Sequence, residues 1–336
     1  MTGQGLVTSV AVLGGGAWGT ALAQMLASDG RDVLLWAREA EVVDEVNAHH
    51  RNSAFLPGAQ LVPNIRATGD IGMLAGVPVV LVVSPAQHSA GVLSALPAPP
   101  EDLVLCSKGI EQATGRLMNE VAGEACPDSA VAVLSGPTFA HEVAAGLPTA
   151  VTLACGGGRE QWERLKPVIA RPAFRPYYSD DVTGAEIGGA VKNVLAIACG
   201  VVDGLGLGQN ARAALIARGY AEMQRFGEAL GAERETLAGL CGLGDLVLTC
   251  SSTSSRNFSL GKALGEGRSA AELMADRRTV AEGAHTAPVL AKLAADHGVE
   301  MPIVDAVGAL LGGEPAAQVV QQLLSRPLRS EQEAAA

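Results

Sequence analysis

VLGGGAWGTALA, residues 12–23, is the stretch from which the rest of the chain can be read. Its glycines stand at Gly14-x-Gly16-x-x-Gly19, directly after the apolar run SVAVLG (9–14) and at the head of the helical pattern AWGTALAQMLASDG (17–30). The spacing alone is weak. Between a strand and a helix near the N-terminus it is the fingerprint of a dinucleotide-binding turn. Gly14 permits the tight turn, Gly16 lets the backbone approach a pyrophosphate, and Gly19 lets the helix lie close on the strand. The phosphates of such a ligand rest on the free N–H groups at the helix start.

Working outward, DVLLWAR (32–38) reads as a second strand ending at Arg38, with Glu39 next. An acid at this place holds the adenosine ribose hydroxyls, whereas an arginine accommodates a 2′-phosphate or stacks on the adenine. NADP(H) is therefore the preferred cofactor, with NAD(H) possible. Further strands are expected at 77–84, 101–109, 129–136, 148–157 and 174–181, separated by helical or loop segments. Continuous apolar strands alternating with helices indicate a parallel sheet covered on both faces. After about residue 183 helical periodicity dominates, at 184–203, 211–231, 233–240, 256–265, 269–275, 286–297, 301–312 and 314–325. The fold expected is α/β, with an N-terminal Rossmann-type dinucleotide-binding domain over residues 1–183. An all-α substrate domain follows over 184–326, and residues 327–336 form a loose tail.

The formal charge of -11 argues against nucleic acid or an anionic membrane as partner of the general surface. Any positive charge that handles an anionic ligand has to be gathered locally. The six cysteines form no C-x-x-C and the six histidines no H-x3-H, so no protein-held metal is expected. The cysteines lie in apolar runs as small hydrophobes, which suits a reducing compartment. The N-terminus MTGQGLVTSV has no basic, apolar leader pattern and no 20-residue span reads as transmembrane, so a cytoplasmic location is expected.

Only five of the 24 basic residues are lysines, and one of them, Lys192, sits inside the apolar stretch GGAVKNVLAIACG (188–200). A buried ammonium is costly unless compensated, so either the side chain snorkels to water or it faces a cavity. At about 100° per residue, Gly188, Lys192, Cys199 and Asp203 share one sector of the helix. Gly188 and Gly189 leave room for another group beside the ammonium, which favours the cavity. CSKGIE places Lys108 just beyond a strand's carboxyl end, where doubly wound sheets bind ligands. SGPTFAHEVAAG follows the next strand, with Gly136 and Pro137 shaping a loop and Thr138 offering a hydroxyl. In CGLGDLVLTCSSTSSRNFSLG (241–261), Asp245 lies in a glycine-rich turn, and Ser254 or Ser255 can cap the helix that begins at Arg256. An arginine beside free helix-start N–H groups makes a phosphate site.

Taken together, VLGGGAWGTALA, LLWAR, CSKGIE, SGPTFAHEVAAGLPTA, GAEIGGAVKNVLAIACGVVDGLGLGQNARAALIARG, GLCGLGDLVLTCSSTSSRN and VAEGAHTA resemble the NAD(P)-dependent glycerol-3-phosphate dehydrogenases of the bacterial type. They occur in that family's order from about residue 9 to 310. The resemblance implies reversible reduction of dihydroxyacetone phosphate to sn-glycerol 3-phosphate, the backbone of glycerophospholipids. It implies Lys192 as general acid/base, and Lys108, Gly136, Thr138, Lys192, Asp245, Ser255, Arg256 and Asn257 around the substrate. It also implies Gly14, Gly16, Ala17, Trp18, Gly19, Arg38, Lys108, Ala140, Arg256, Val280 and Glu282 around the cofactor. The family often has serine where this chain has Ala17, which removes a hydroxyl contact but keeps the backbone N–H. A homodimer through the helical domain is expected, and His50, Phe55 and His141 receive no role.

A lysine in a dry pocket beside a second cation should have a lowered pKa and work in both directions near neutral pH. Two other readings stand beside this one. β-Hydroxyacid and 6-phosphogluconate dehydrogenases carry a K-x-x-x-N lysine, where this chain has Lys192-Asn193 with Arg256-Asn257 downstream. A silent NADP-binding sensor predicts loss of the lysine, the aspartate or the Arg-Asn pair, and all are present.

Overall fold

Eight short strands pair into one sheet in the computed structural model, which describes residues 9–275, 281–327 and 330. They are β1 (Val10–Leu13), β2 (Val33–Trp36), β3 (Ile65–Thr68), β4 (Val79–Val82), β5 (Asp102–Leu105), β6 (Ala130–Ser135), β7 (Thr149–Cys155) and β8 (Phe174–Ser179). Their order is β3-β2-β1-β4-β5-β6-β7-β8, and β1 pairs in parallel with both β2 and β4. The chain thus reverses its direction of travel across the sheet at β1, so the crevice beyond the carboxyl ends of β1 and β4 is the switch point where such sheets bind ligands.

The helices woven among these strands are α1 (Ala17–Ala27), α2 (Ala40–His49), α3 (Ser89–Ser94), α4 (Met118–Ala125), α5 (Ala140–Ala144) and α6 (Gly158–Ile169). β1, β4 and β5 are buried at every position, as strands covered on both faces must be. α1 buries Leu22, Met25 and Leu26 in the same core as Val12, Leu35 and Leu81. The Rossmann-type architecture expected is the one found.

The remaining helices are α7 (Val182–Gly204), α8 (Gly208–Ala229), α9 (Arg234–Ala238), α10 (Asp245–Thr249), α11 (Arg256–Gly265), α12 (Ala270–Ala275), α13 (Glu282–Asp296), α14 (Pro302–Leu311) and α15 (Ala316–Leu324). A π-helical turn, Leu240–Gly244, joins α9 to α10. α7 is long and apolar enough to cross a membrane, yet its apolar window is entirely buried in the protein. It is the central helix of a second core that includes Val191, Val194, Phe226, Phe258 and Val304. Where α7 meets α11, a side chain on Gly200 would strike the backbone of Phe258 and Lys262, so the two helices touch backbone to backbone. Glu222 of α8 is buried and accepts from the Ile303 N–H at 2.8 Å and the Val304 N–H at 3.4 Å, capping the free start of α14.

The chain parts into two compact units, one made of the chain up to Ser107, Met118–Leu134 and Thr138–Val182. The other comprises Lys108–Leu117, Ser135–Pro137 and the chain from Thr183 onward. Two short segments following β5 and within or just after β6 therefore group with the helices. The tail expected over residues 327–336 lies outside the described residues except for Pro327 and Ser330.

Candidate active site

Two clusters of the expected residues are built, one in each unit. In the first unit the backbone leaves β1 at Leu13 and turns through Gly14, whose φ is +138°. A Cβ on Gly14 would lie 2.9 Å from the Val83 carbonyl carbon, so the turn is pressed onto the chain leaving β4. A Cβ on Gly19 would overlap the Gly14 carbonyl oxygen, which explains the third glycine. Gly16 differs from both, since nothing lies within 4 Å of where its side chain would begin. No side chain caps α1 and its first turn holds no acid, so its N–H groups are left for an anion. The indole N–H of Trp18 is buried without a partner among the described residues. An open glycine, an uncapped helix start and an orphaned donor are what a diphosphate-bearing ligand would fit.

Ala17 begins α1, and Ala140 begins α5. Arg38 lies two residues beyond β2, 76% exposed along its side chain, and its Nη2 meets Glu39 Oε1 at 2.8 Å. Arg38 and Glu39, the two residues weighed in the sequence for the adenosine end of a dinucleotide, thus hold one another at the surface. Thr138 stands between β6 and α5. Val280 lies outside the described residues.

In the second unit the side chains converge on one carboxylate. Asp245, fully buried, opens α10. Lys192 Nζ donates to its Oδ1 at 2.6 Å and to Thr249 Oγ1 at 2.9 Å. Lys108 Nζ donates to Asp245 Oδ2 at 2.6 Å and to the Gly136 carbonyl at 3.1 Å. Lys192 is 5% exposed and hydrogen-bonded inward, so snorkelling is not its arrangement. The glycines make this possible. A Cβ on Gly188 would sit 2.5 Å from the Cys241 carbonyl oxygen, pushing away the π-helical turn that leads to Asp245. A Cβ on Gly189 would crowd Ser135 Oγ at 3.1 Å and the Lys108 stem at 3.4 Å.

Burial pulls the Lys192 ammonium down from 10.5 to about 8; the Asp245 charge opposes the shift and the Lys108 charge adds to it. Two cations around one carboxylate leave the cluster with a net positive charge. Such a site can take a negatively charged ligand and exchange a proton with it near neutral pH.

α11 starts beside this cluster in sequence. Ser255 is its N-cap, accepting from the Phe258 N–H at 3.2 Å, and Arg256, exposed at the first helical position, makes no ion pair among the described residues. Asn257 is engaged at both ends: Nδ2 donates to Asn193 Oδ1 at 2.9 Å, and Oδ1 accepts from the Gly283 N–H at 3.0 Å. Asn193 Nδ2 donates in turn to the Lys108 carbonyl at 3.4 Å. The Asn193–Asn257 pair joins α7, α11 and the start of α13, where Glu282 stands. Among the described residues no group of three or more His, Cys, Asp or Glu side chains is placed to hold a metal ion.

The sequence reading passed over Thr249, although Asp245 and Thr249 stand one turn apart on α10 and so share a face. It also passed over the Asn193 amide as the partner of Asn257. No sequence signal pointed to the π-helical turn that sets up Asp245.

Residues 9–160 match the family described as NAD-dependent glycerol-3-phosphate dehydrogenase N-terminus, and residues 181–321 match its C-terminus. A curated relative from Erythrobacter litoralis, named glycerol-3-phosphate dehydrogenase [NAD(P)+], is 78% identical over 98% of this chain and 99% of its own. One of the same name from Novosphingobium aromaticivorans is 72% identical over 96% and 98%. The crystal structure of glycerol-3-phosphate dehydrogenase from Coxiella burnetii superposes with a TM-score of 0.88 at 41% identity, covering 94% of this chain and 98% of that one. With both family descriptions matched in order and relatives this similar along nearly the whole length, the chain belongs to the NAD-dependent glycerol-3-phosphate dehydrogenase family.

Proposed function

We propose that the protein catalyses the NAD(P)H-dependent, reversible reduction of dihydroxyacetone phosphate to sn-glycerol 3-phosphate, supplying the glycerophospholipid backbone in the cytoplasm. The observation that carries the reading is the Lys108–Asp245–Lys192 cluster, two ammonium groups on one buried carboxylate in a chain of this family. The nicotinamide cofactor, when bound, supplies or accepts the hydride at C2 of the substrate.

In the reducing direction Lys192 gives its proton to the oxygen at C2 as negative charge develops there. In the oxidising direction the neutral amine takes the proton from the C2 hydroxyl. A lysine brought down to about 8 can do both near neutral pH. Asp245 orients both ammonium groups and limits how far burial lowers Lys192. Thr249 accepts a second hydrogen bond from Lys192 and restricts its rotation. Lys108, held by Asp245 and the Gly136 carbonyl, keeps positive charge beside the developing alkoxide. Arg256 and the start of α11 hold the phosphate, and Ser255 keeps its hydroxyl hydrogen free to donate. That binding energy positions the reacting carbon. Asn257, anchored at both ends of its amide, holds the substrate together with Arg256.

Gly14, Gly16, Ala17, Trp18 and Gly19 hold the dinucleotide, with Ala140 also lining it. Arg38, exposed and within reach of solvent anions, favours NADP(H) over NAD(H) by pairing with a 2′-phosphate. A homodimer through the helical unit completes the proposal. The test is oxidation of NADPH, then NADH, followed at 340 nm with dihydroxyacetone phosphate added. Ketone-phosphate-dependent oxidation supports the reading and ranks the cofactors. A folded protein that binds NADPH but reduces only β-keto acids would favour a hydroxyacid dehydrogenase.

A further inference from the structure

Asn52 lies between α2 and β3, in a stretch to which neither the motif nor the lysine cluster gives a task. It is 1% exposed, and its side chain reaches back to the glycine-rich turn. Nδ2 donates to the Gly15 carbonyl at 2.8 Å and to Thr20 Oγ1 at 2.8 Å. The Thr20 hydroxyl, itself fully buried, donates to the same Gly15 carbonyl at 3.3 Å. Asn52 is steadied from its own side: Oδ1 accepts from the Phe55 N–H at 3.2 Å and its carbonyl accepts from the Leu56 N–H at 2.8 Å.

We infer that Asn52, together with Thr20, locks the orientation of the Gly15–Gly16 peptide so that the Gly16 N–H faces the diphosphate of the dinucleotide. The inference rests on the reading of this turn as the cofactor loop. A peptide flanked by two glycines has no side chain to resist rotation of its plane, so it can flip at little steric cost. In a trans peptide the C=O and N–H point in opposite directions, and the described residues contain no cis bond. Two donors that draw the Gly15 oxygen inward therefore turn the Gly16 N–H outward. Beside that N–H the residue has room, since a side chain on Gly16 would meet nothing within 4 Å. A flipped peptide would instead present a carbonyl oxygen to the phosphates, replacing attraction by repulsion. The turn does not need these donors for its own closure, since Gly14 N–H already bonds the Trp36 carbonyl and Thr20 N–H the Gly16 carbonyl, at 3.0 and 2.9 Å. Holding a donor in place before the ligand arrives removes the reorganisation that binding would otherwise require.

The experiment compares full-length wild type with Asn52→Ala, Thr20→Val and Thr20→Ser. NADPH and NADH affinities are read by calorimetry, and kcat and both KM values by the 340 nm assay. The expected result for Asn52→Ala is a loss of about tenfold in affinity, equal for the two cofactors because the diphosphate is common to both. The cofactor KM should rise far more than kcat falls, with the KM for dihydroxyacetone phosphate at saturating cofactor little moved. Thr20→Val should lose affinity in the same pattern and Thr20→Ser should restore most of it. A folded Asn52→Ala protein with wild-type affinity for both cofactors overturns the inference, as does a loss confined to one cofactor or to the ketone phosphate. Should Asn52→Ala not fold, equal affinities for the Val and Ser variants overturn it just as well. Wild-type protein that binds neither dinucleotide would sink the cofactor-loop reading itself, a result distinct from a failed lock.

Discussion

The glycine-rich turn and the lysine cluster use opposite means to present positive charge. The turn is contiguous, Gly14 to Gly19, and works through backbone N–H groups whose value depends on the absence of side chains. The cluster draws Lys108, Gly136, Lys192, Asp245 and Thr249 from distant parts of the chain and works through side-chain charge. A backbone site is sensitive above all to added atoms. A charge cluster is sensitive to the loss of a single functional group.

Substitutions can break that contrast. The largest effect is expected from Lys192→Ala, which should lower kcat for dihydroxyacetone phosphate by about 10³-fold while leaving NADPH affinity nearly unchanged. Turnover close to wild type would remove this lysine from the chemistry. The same residue sharpens the contrast through pH. Reduction requires the protonated ammonium, so its rate should fall as pH rises through about 8, whereas oxidation of glycerol 3-phosphate requires the neutral amine and should rise through the same region. Rate profiles in both directions check the sign.

Gly19→Ala tests the turn by adding one methyl group where the Gly14 carbonyl already lies. We expect destabilisation of about 1–3 kcal/mol in a denaturant melt and a matching loss of cofactor affinity, while the substrate KM at saturating cofactor stays close to wild type. Arg256→Ala should raise the KM for dihydroxyacetone phosphate by about 10–100-fold with a smaller effect on kcat, as loss of a charge-assisted phosphate contact would. An unchanged KM would take the phosphate away from α11. The smallest effect is expected at the exposed Arg38, where Arg38→Ala should reduce the preference for NADPH over NADH by about fivefold, measured as the ratio of kcat/KM values.

Much of this was legible beforehand because its signals are local. The strand before Gly14, the helix after it and the run of helices from α7 onward are each written in a few consecutive residues. Ser255 could be named as one of two caps because capping acts over three positions. β3 was missed: Ile65–Thr68 is four residues with an exposed arginine in it, and only pairing with β2 makes it a strand. Asn257 shows a different gap. The resemblance implied a substrate contact for it, and nothing in the neighbouring residues announced that its amide also bonds to Asn193, 64 residues away, and to the Gly283 N–H.

By itself the sequence determined the alternation of most strands with helices, the dinucleotide turn and the presence of an anomalous lysine in an apolar helix, since hydrophobic period, glycine spacing and burial cost are properties of short stretches. Only the tertiary structure decided what that lysine faces. A hydrogen bond is satisfied by whatever group lies within about 3 Å, and the fold alone brought Asp245 and Thr249 to Lys192 and turned Asn52 onto Gly15.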